Sequence, residues 1–316
     1  MKAIVHREHG PPDVLRYEEI DRPVPGDGDV LIKVRAASIN PLDWRFMKGL
    51  PFARWSGRKI RRPGRDVAGT VEKTGAKVKS FVPGDEVFGV CRGAFAEYAC
   101  AAESSLVLKP RNVTFEQAAS LPIAAVTALQ ALRDKGRIGA GRRVLVNGAA
   151  GGVGTFAVQI AKSYGAEITG VCSTGNLAMV RSIGAHRVVD YTREDFRRSG
   201  QTYDILLDCV GNCAFSDHRR LLRPGGTAVV IGAPPEMTDA LWYALRMFVL
   251  SWFSRKVVVF VAKLDSEDLA LLGDSVASGK ITPVIDRRYR LSETAEAMRY
   301  AERGHARGKV IITPGA

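Results

Sequence analysis

Residues 144–154 read VLVNGAAGGVG, and no other stretch restricts the fold of this 316-residue chain as much. An apolar, β-branched run enters a glycine-rich turn. A helical pattern follows through Thr155, Phe156, Ala157, Val158, Gln159, Ile160 and Ala161. Ala149, Gly151 and Gly154 match the A/G-x-G-x-x-G spacing of a dinucleotide fingerprint. In such a turn one glycine lets the backbone approach a pyrophosphate, and the next lets the helix pack closely on the strand. The helix N-terminus then offers unpaired N–H groups and the positive end of its dipole to the phosphates. An ordinary strand–helix turn is the competing reading, and the flanking strand and helix favour the fingerprint.

The second strand of such a fold usually ends in Asp or Glu, which holds the ribose diol. Here the expected second strand, 167–171, runs into Cys172, Ser173 and Thr174, with no carboxylate. Small hydroxyl residues leave room for a 2′-phosphate and can donate hydrogen bonds to it. Asn176 and Arg181 lie on the helix that follows, and Tyr191 ends the expected third strand. The pattern predicts NADPH rather than NADH. Arg181 reads equally well as a solvated surface charge.

Lys and Arg number 46 against 33 Asp and Glu, a net charge of +13. Such an excess suits nucleic acid or an anionic membrane. The cations are scattered, however, and their densest cluster is Arg54, Arg58, Lys59, Arg61, Arg62 and Arg65, so nucleic acid is not the expected partner. The cysteines, Cys91, Cys100, Cys172, Cys209 and Cys213, lack disulfide-scaffold spacing, which fits a reducing cytoplasm. Cys209 and Cys213 form a C-x₃-C pair with no nearby His expected to complete it, so no metal site is expected. The first residues read as a strand rather than a signal peptide. The apolar segment 241–253 is too short to span a bilayer, and it reads as a buried or interfacial helix.

Residues 1–118 alternate short apolar runs with Pro/Gly turns, the pattern of an irregular β-rich domain with strands at 30–34, 67–72, 86–90 and 95–100. One helical stretch, 115–135, leads out of it. Strands expected at 143–147, 167–171, 187–189, 205–207, 227–231 and 257–261 then alternate with helical patterns, which predicts a doubly wound parallel sheet with helices on both faces. Helices at 265–278 and 292–302 and a strand at 309–313 close the chain.

Several motifs belong together: Ala37-Ser38-Ile39-Asn40-Pro41-Leu42-Asp43, Gly64-Arg65-Asp66-Val67-Ala68-Gly69, Pro83-Gly84-Asp85-Glu86-Val87, the glycine turn, Arg223-Pro224-Gly225-Gly226 and Gly304-His305-Ala306-Arg307-Gly308-Lys309. On them the chain resembles the medium-chain dehydrogenase/reductase superfamily, in its zinc-independent quinone oxidoreductase-like branch, over nearly its whole length. The resemblance implies an α/β protein. A Rossmann sheet, 119–262, is inserted in a β-rich GroES-like catalytic domain built from 1–118 and 263–316, with the coenzyme in the cleft. It also implies a homodimer paired through the strand 257–261. Zinc-dependent members carry Cys where Asn40 stands, His where Arg65 stands, and a lobe of four close cysteines absent around 89–98. Asn and Arg do not serve as zinc ligands, so no zinc is expected. Without that Lewis acid, reduction of a quinone or an activated C=C bond fits better than alcohol oxidation.

The resemblance places Asn40, Pro41, Leu42, Asp43 and Trp44 beside the nicotinamide ribose, together with Thr127. Ala150, Gly151, Gly152, Val153 and Gly154 form the pyrophosphate turn, and Ser173, Thr174, Asn176 and Tyr191 surround the adenosine phosphate. Gly211 and Gly232 also line the coenzyme, Phe260, Val261 and Ala262 flank the ring amide, and Arg307 and Lys309 come from the C-terminal motif, with Lys309 reaching the phosphates. The expected catalytic set is Asn40, Thr127 and Lys48, with the Asn40 amide donating to the nicotinamide side or to substrate oxygen. Plainer roles stand beside these. Asp43 can cap a helix, Thr127 can bond its own helix, Trp44 and Phe46 can be core, and Lys48 and Lys309 can be solvated charges. Enoyl-thioester reductases of the superfamily carry a Tyr proton donor shortly after the Asn. Lys48-Gly49-Leu50-Pro51-Phe52 contains none, which leaves Lys48 or solvent as the donor.

The leading expectation is therefore an NADPH-dependent, zinc-independent reductase of quinones or α,β-unsaturated carbonyls. Its competitors are an accessory enoyl reductase of polyketide-type biosynthesis and a non-catalytic NADPH-binding redox sensor or nucleic-acid binder. Segments 50–60 and 235–253 are the expected walls of the substrate pocket.

Overall fold

Short apolar runs broken by turns become strands wherever alternate side chains find a core to face. In the computed structural model, which describes residues 1–49, 61–233, 245, 249 and 256–315, the first such runs are β1 (Lys2–Val5), β2 (Arg16–Glu19), β3 (Asp29–Ser38), β4 (Asp66–Thr74), β5 (Glu86–Val90), β6 (Tyr98–Ala102) and β7 (Leu106–Leu108). Helix α1 (Pro41–Lys48) follows β3, and α2 (Phe115–Ala119) and α3 (Pro122–Gln130) follow β7. The helix expected over 115–135 is thus divided. Pro122 has no N–H to continue α2 and disfavours helical backbone at Leu121, and α3 runs on into a π-helical turn, Ala131–Lys135.

The glycine-turn region supplies β8 (Arg143–Asn147), α4 (Gly152–Ser163), β9 (Glu167–Cys172), α5 (Leu177–Ser182), β10 (Arg187–Asp190), β11 (Tyr203–Asp208), α6 (Phe215–Leu221), β12 (Leu222–Val230) and β13 (Val257–Val259). The chain ends with α7 (Ser266–Ala277), β14 (Ile285–Arg290), α8 (Thr294–Glu302) and β15 (Lys309–Thr313). β14, reading IDRRYR, has no place among the sequence expectations. Among the described residues it pairs only with β15 at the sheet edge, where polar side chains are tolerated and the alternation of a half-buried strand is lost.

Two units result. The first comprises Met1–Val126, Leu264–Gly279 and Ile285–Ala316, and the second Thr127–Lys263 with Lys280–Val284. In the first, strands run β14-β15-β3-β4-β5-β7, with β6 also on β3. Its core gathers Ile4, Ile32, Val67, Val87, Phe95 and Met298, all buried, and each such side chain contributes about 1.5–3 kcal/mol. The register matters for the site: Ser38 pairs with Asp66 across β3 and β4, and with Ile311 across β3 and β15.

In the second unit all six strands are parallel in the order β10-β9-β8-β11-β12-β13. That is the doubly wound dinucleotide-binding arrangement. The expected apolar helix at 241–253 and the pocket walls at 50–60 and 235–253 lie outside the described residues, apart from the exposed helical positions Leu245 and Val249. Among the described residues no helix is long and apolar enough to cross a membrane.

Candidate active site

In the first unit β3 ends at Ser38, and Asn40 caps α1 with Pro41 in the first turn, where a missing N–H costs nothing. The Asp43 carboxylate accepts the Asn40 backbone N–H at 2.8 Å, the plainer capping role. The Asn40 side chain does not cap. Its Nδ2 donates to Asp66 Oδ2 at 2.8 Å and its Oδ1 accepts from Lys309 Nζ at 2.7 Å. Lys309 has only donors and a carboxylate only acceptors, so the Asn40 amide faces one way.

Asp66 Oδ2 also takes the Ser38 hydroxyl at 2.8 Å, and Oδ1 takes the Ile123 N–H at 3.1 Å. Asn40, Asp66 and Lys309 are buried. Lys309 is therefore no solvated charge. Its ammonium donates to Ile39 O at 3.1 Å, Asn40 Oδ1 at 2.7 Å and Asp66 Oδ2 at 3.5 Å, three acceptors of the first unit rather than the coenzyme phosphates the sequence suggests. Burial pushes the Lys309 ammonium down and the Asp66 carboxyl up, and their mutual attraction opposes both shifts. Lys309 polarises the Asn40 carbonyl, which strengthens the second Nδ2 N–H, the one donor left over from this network, as a hydrogen-bond donor.

Burial also pushes the Asp43 carboxyl up to about 7, against the Asn40 N–H, which favours the charged form, while Asp66 adds to the rise. Between about pH 4 and 7 the folded protein thus keeps a proton that the unfolded chain releases. The associated stability is complete below pH 4 and is lost as pH rises through 7, by at most about 4 kcal/mol. Asp43→Asn should gain stability relative to the parent between about pH 4.5 and 7.5 in urea denaturation. Parallel pH curves for the two proteins would reject the assignment.

Around this network, Trp44 packs against the core of the first unit. The Arg65 guanidinium lies 4.8 Å over the Phe46 ring. Lys48 is ion-paired with Glu302 of α8. Arg307 is exposed and its backbone N–H donates to Asp286 at 3.0 Å.

In the second unit β8 delivers the chain to Gly148, and α4 starts after Gly151, its N-cap. Among the described residues a Cβ on Gly151 would meet only Gly148 O, at 3.4 Å, so the turn has the room a bound pyrophosphate requires. A Cβ on Gly154 would overlap the Gly148 carbonyl and lie 2.8 Å from Ala149 Cα, so this glycine serves helix–turn packing. Ala150, Gly152 and Val153 complete the turn. The cradle fits a dinucleotide pyrophosphate.

At the end of β9, Ser173 Oγ accepts from Asn176 Nδ2 at 3.0 Å, and the buried Asn176 Oδ1 has no partner. Thr174 departs from its expected role. Its hydroxyl donates to Asp190 Oδ2 at 2.6 Å, so it has no proton left for a 2′-phosphate. Asp190, which also takes the Thr192 hydroxyl and N–H, is a residue the sequence reading missed. Its signal was its place beside Tyr191 at the end of the third strand. The Thr174 hydrogen bond, then those of Thr192, hold the Asp190 carboxyl below its usual range. Arg181 has no carboxylate partner among the described residues, and its charge is felt at Cys172 at the end of β9. Tyr191 is 52% exposed.

Asp208, at the end of β11, accepts from Asn147 Nδ2 at 2.8 Å, Gly211 N at 2.9 Å and Val210 N at 3.2 Å, and pairs with His218 Nε2 at 3.0 Å. Burial works against its charge, but the bonds from His218, Gly211 and Asn147 outweigh it and hold the carboxyl below its usual range. Cys213 completes a buried trio whose ligand atoms lie within 4.8 Å of one another. This corrects the expectation that no His lies near the Cys209/Cys213 pair, since α6 turns His218 inward. A metal on Nε2 would force the His218 proton onto the buried, partnerless Nδ1, so the trio reads as a hydrogen-bonded lock rather than a metal centre.

The lock holds the loop after β11, where Gly211 packs against the backbone of Gly232 and Ala233. Gly232 N–H bonds Asp208 O at 2.9 Å. Past β13, the Phe260 ring lies 5.7 Å below the Lys135 ammonium, Val261 is 86% exposed and Ala262 is half-buried. Thr127 lies on α3, half-buried.

The parallel six-stranded sheet with its open glycine turn makes the second unit a dinucleotide-binding fold, and the first is a β-rich unit carrying a buried Asn–Asp–Lys network. Residues 26–111 match the family model described as "Alcohol dehydrogenase GroES-like domain", and residues 183–312 match "Zinc-binding dehydrogenase". The chain is 35% identical to a chloroplast envelope quinone oxidoreductase homolog of Arabidopsis thaliana, covering 95% of this chain and 94% of that protein. It is 36% identical to an NADPH-dependent alkenal/one oxidoreductase of the same plant, over 99% of this chain and 80% of that one. Among solved structures, the quinone oxidoreductase from Coxiella burnetii superposes with a TM-score of 0.90 at 31% identity, covering 100% of this chain and 99% of that one. The chain belongs to the medium-chain dehydrogenase/reductase superfamily, in its zinc-independent quinone/enone oxidoreductase branch.

Proposed function

We propose that this protein uses NADPH, without zinc, to reduce quinones or the C=C bond of α,β-unsaturated carbonyl compounds. The observation that carries this reading is the amide of Asn40, held between Lys309 and Asp66 with one strengthened N–H left over. Such a group stabilises a developing oxyanion by hydrogen bonding rather than by Lewis acidity. Relatives described as quinone and alkenal/one oxidoreductases support the substrate classes.

Bound coenzyme supplies the hydride. The glycine turn and the α4 N-terminus hold its pyrophosphate, and Asn40 donates to the substrate oxygen as negative charge builds there. Lys48 is held by Glu302, so solvent supplies the proton at the α-carbon. Ser173, Arg181 and Tyr191 favour the 2′-phosphate, while Asp190 limits that preference by occupying Thr174.

A turnover panel of simple quinones, 2-alkenals, enones and enoyl thioesters tests the reading. Rapid NADPH oxidation is expected with the first three, and none with any of them would refute it. NADPH should bind at least about tenfold more tightly than NADH, a difference of about 1.4 kcal/mol that Arg181→Ala removes. Equal dissociation constants in the parent would reject this use of Arg181.

We also propose a homodimer paired through β13, the edge strand of its sheet, which leads to the exposed Val261. Sedimentation as a monomer at all concentrations would exclude it.

A further inference from the structure

At the end of the parallel sheet opposite the glycine turn, the chain builds a concavity. Arg142 directly precedes β8, Gly225 and Thr227 lie in β12, and Val258 lies in β13. Lys135 ends the π-helical turn, and Gly136 and Arg137 follow it. These seven residues line a cavity of about 340 Å³. Coenzymes of this fold bind at the carboxyl ends of the strands, so a cavity at their amino ends is a separate place.

Its electrostatics are one-sided. Three of the lining residues are cations and none is an acid. Neighbouring cations are neutralised: Arg133 by Asp134, Arg143 by Glu167 at 3.7 Å, and Arg223 by Asp204 at 3.6 Å. Lys135, Arg137 and Arg142 have no carboxylate partner among the described residues. A concave wall of one sign focuses potential and draws a counter-ion.

The backbone points the same way. Arg137 has φ +52°, the only non-glycine in the left-handed region among the described residues. Strain of this kind persists where the surroundings impose it, and it concentrates at binding sites. A π-helical turn directly before it is a further irregularity typical of functional positions.

We propose that this cavity is an anion site, distinct from the coenzyme site, that binds a small phosphate-bearing molecule. Two guanidinium groups and an ammonium supply charge-assisted donors matched to phosphate oxygens, and the Thr227 hydroxyl adds a neutral donor. Val258 gives one apolar wall for an organic substituent. The cavity is of small-molecule size.

The test is calorimetric titration of the NADPH-saturated protein at constant ionic strength, with inorganic pyrophosphate in one arm and glucose 6-phosphate in the other. Saturable binding of at least one probe near one per chain is expected, and the stronger arm tells a bare phosphate from a phosphorylated organic molecule. Arg137→Asn with Arg142→Gln should weaken binding by about tenfold or more while leaving NADPH oxidation unchanged. Asn tolerates the left-handed backbone, so the fold is kept. The single variant Lys135→Gln should weaken binding while leaving the left-handed residue Arg137 in place. No saturable binding, binding that sulfate reproduces at equal strength, or affinities unchanged in both variants would overturn the proposal.

Discussion

Replacing Lys309 by Met should cost about 3–5 kcal/mol of folding stability, because it leaves the Asp66 carboxylate buried with no counter-charge. Burial of both groups sets the size of the effect: Lys309 is 2% exposed and Asp66 0%. The double variant Asp66→Asn/Lys309→Met should recover much of the loss, since two neutral groups need no pairing. A double-mutant cycle by urea denaturation should therefore give a coupling energy of about 2 kcal/mol or more. The kinetic consequence separates two roles. If Lys309 acts through Asn40, Lys309→Met lowers kcat by about tenfold or more and leaves KM for NADPH within a factor of about three. If its ammonium instead reached the coenzyme phosphates, KM for NADPH would carry the loss. The three buried acceptors around Nζ favour the first outcome.

Gly151→Val and Gly154→Val should fail in different ways. Gly151 has room for a Cβ, with Gly148 O the nearest atom at 3.4 Å. The variant should fold, melt within a few degrees of the parent and lose NADPH binding, because its side chain fills the space meant for a pyrophosphate. Gly154 has no such room, since a Cβ would run into the Gly148 carbonyl and the Ala149 backbone. Moving that backbone parts α4 from β8 at the centre of the sheet, so Gly154→Val should lose about 3 kcal/mol or more. Thermal melts with NADPH titrations distinguish the two. Retained coenzyme binding in Gly151→Val would contradict the placement of the pyrophosphate.

The two positions also mark what kind of feature a sequence reveals. Both glycines belong to a contiguous strand–turn–helix, and their spacing carries the geometry. The six parallel strands were equally legible, since buried parallel strands read as apolar runs separated by helices. β14 was not, because an edge strand paired on one side need not alternate. The division of the 115–135 helix was written in Pro122 but lost in a long apolar pattern.

Asn40, Asp43 and the turn glycines were found from local motifs. The sequence alone determined that this chain forms an open glycine turn between a parallel strand and a helix, and that Asn40 stands at the start of a helix with Pro41 behind it. It could not determine what Asn40 touches. Its partners lie 26 and 269 positions away, and only the pairing of β3 with β4 and β15 brings Asp66 and Lys309 to it. The same holds for Thr174 and Asp190, 16 positions apart and joined across neighbouring strand ends. Local propensity and periodicity act over a few residues. The charge pairing that orients the Asn40 amide and takes up the Thr174 proton acts across strands, so it exists only once the sheets have formed.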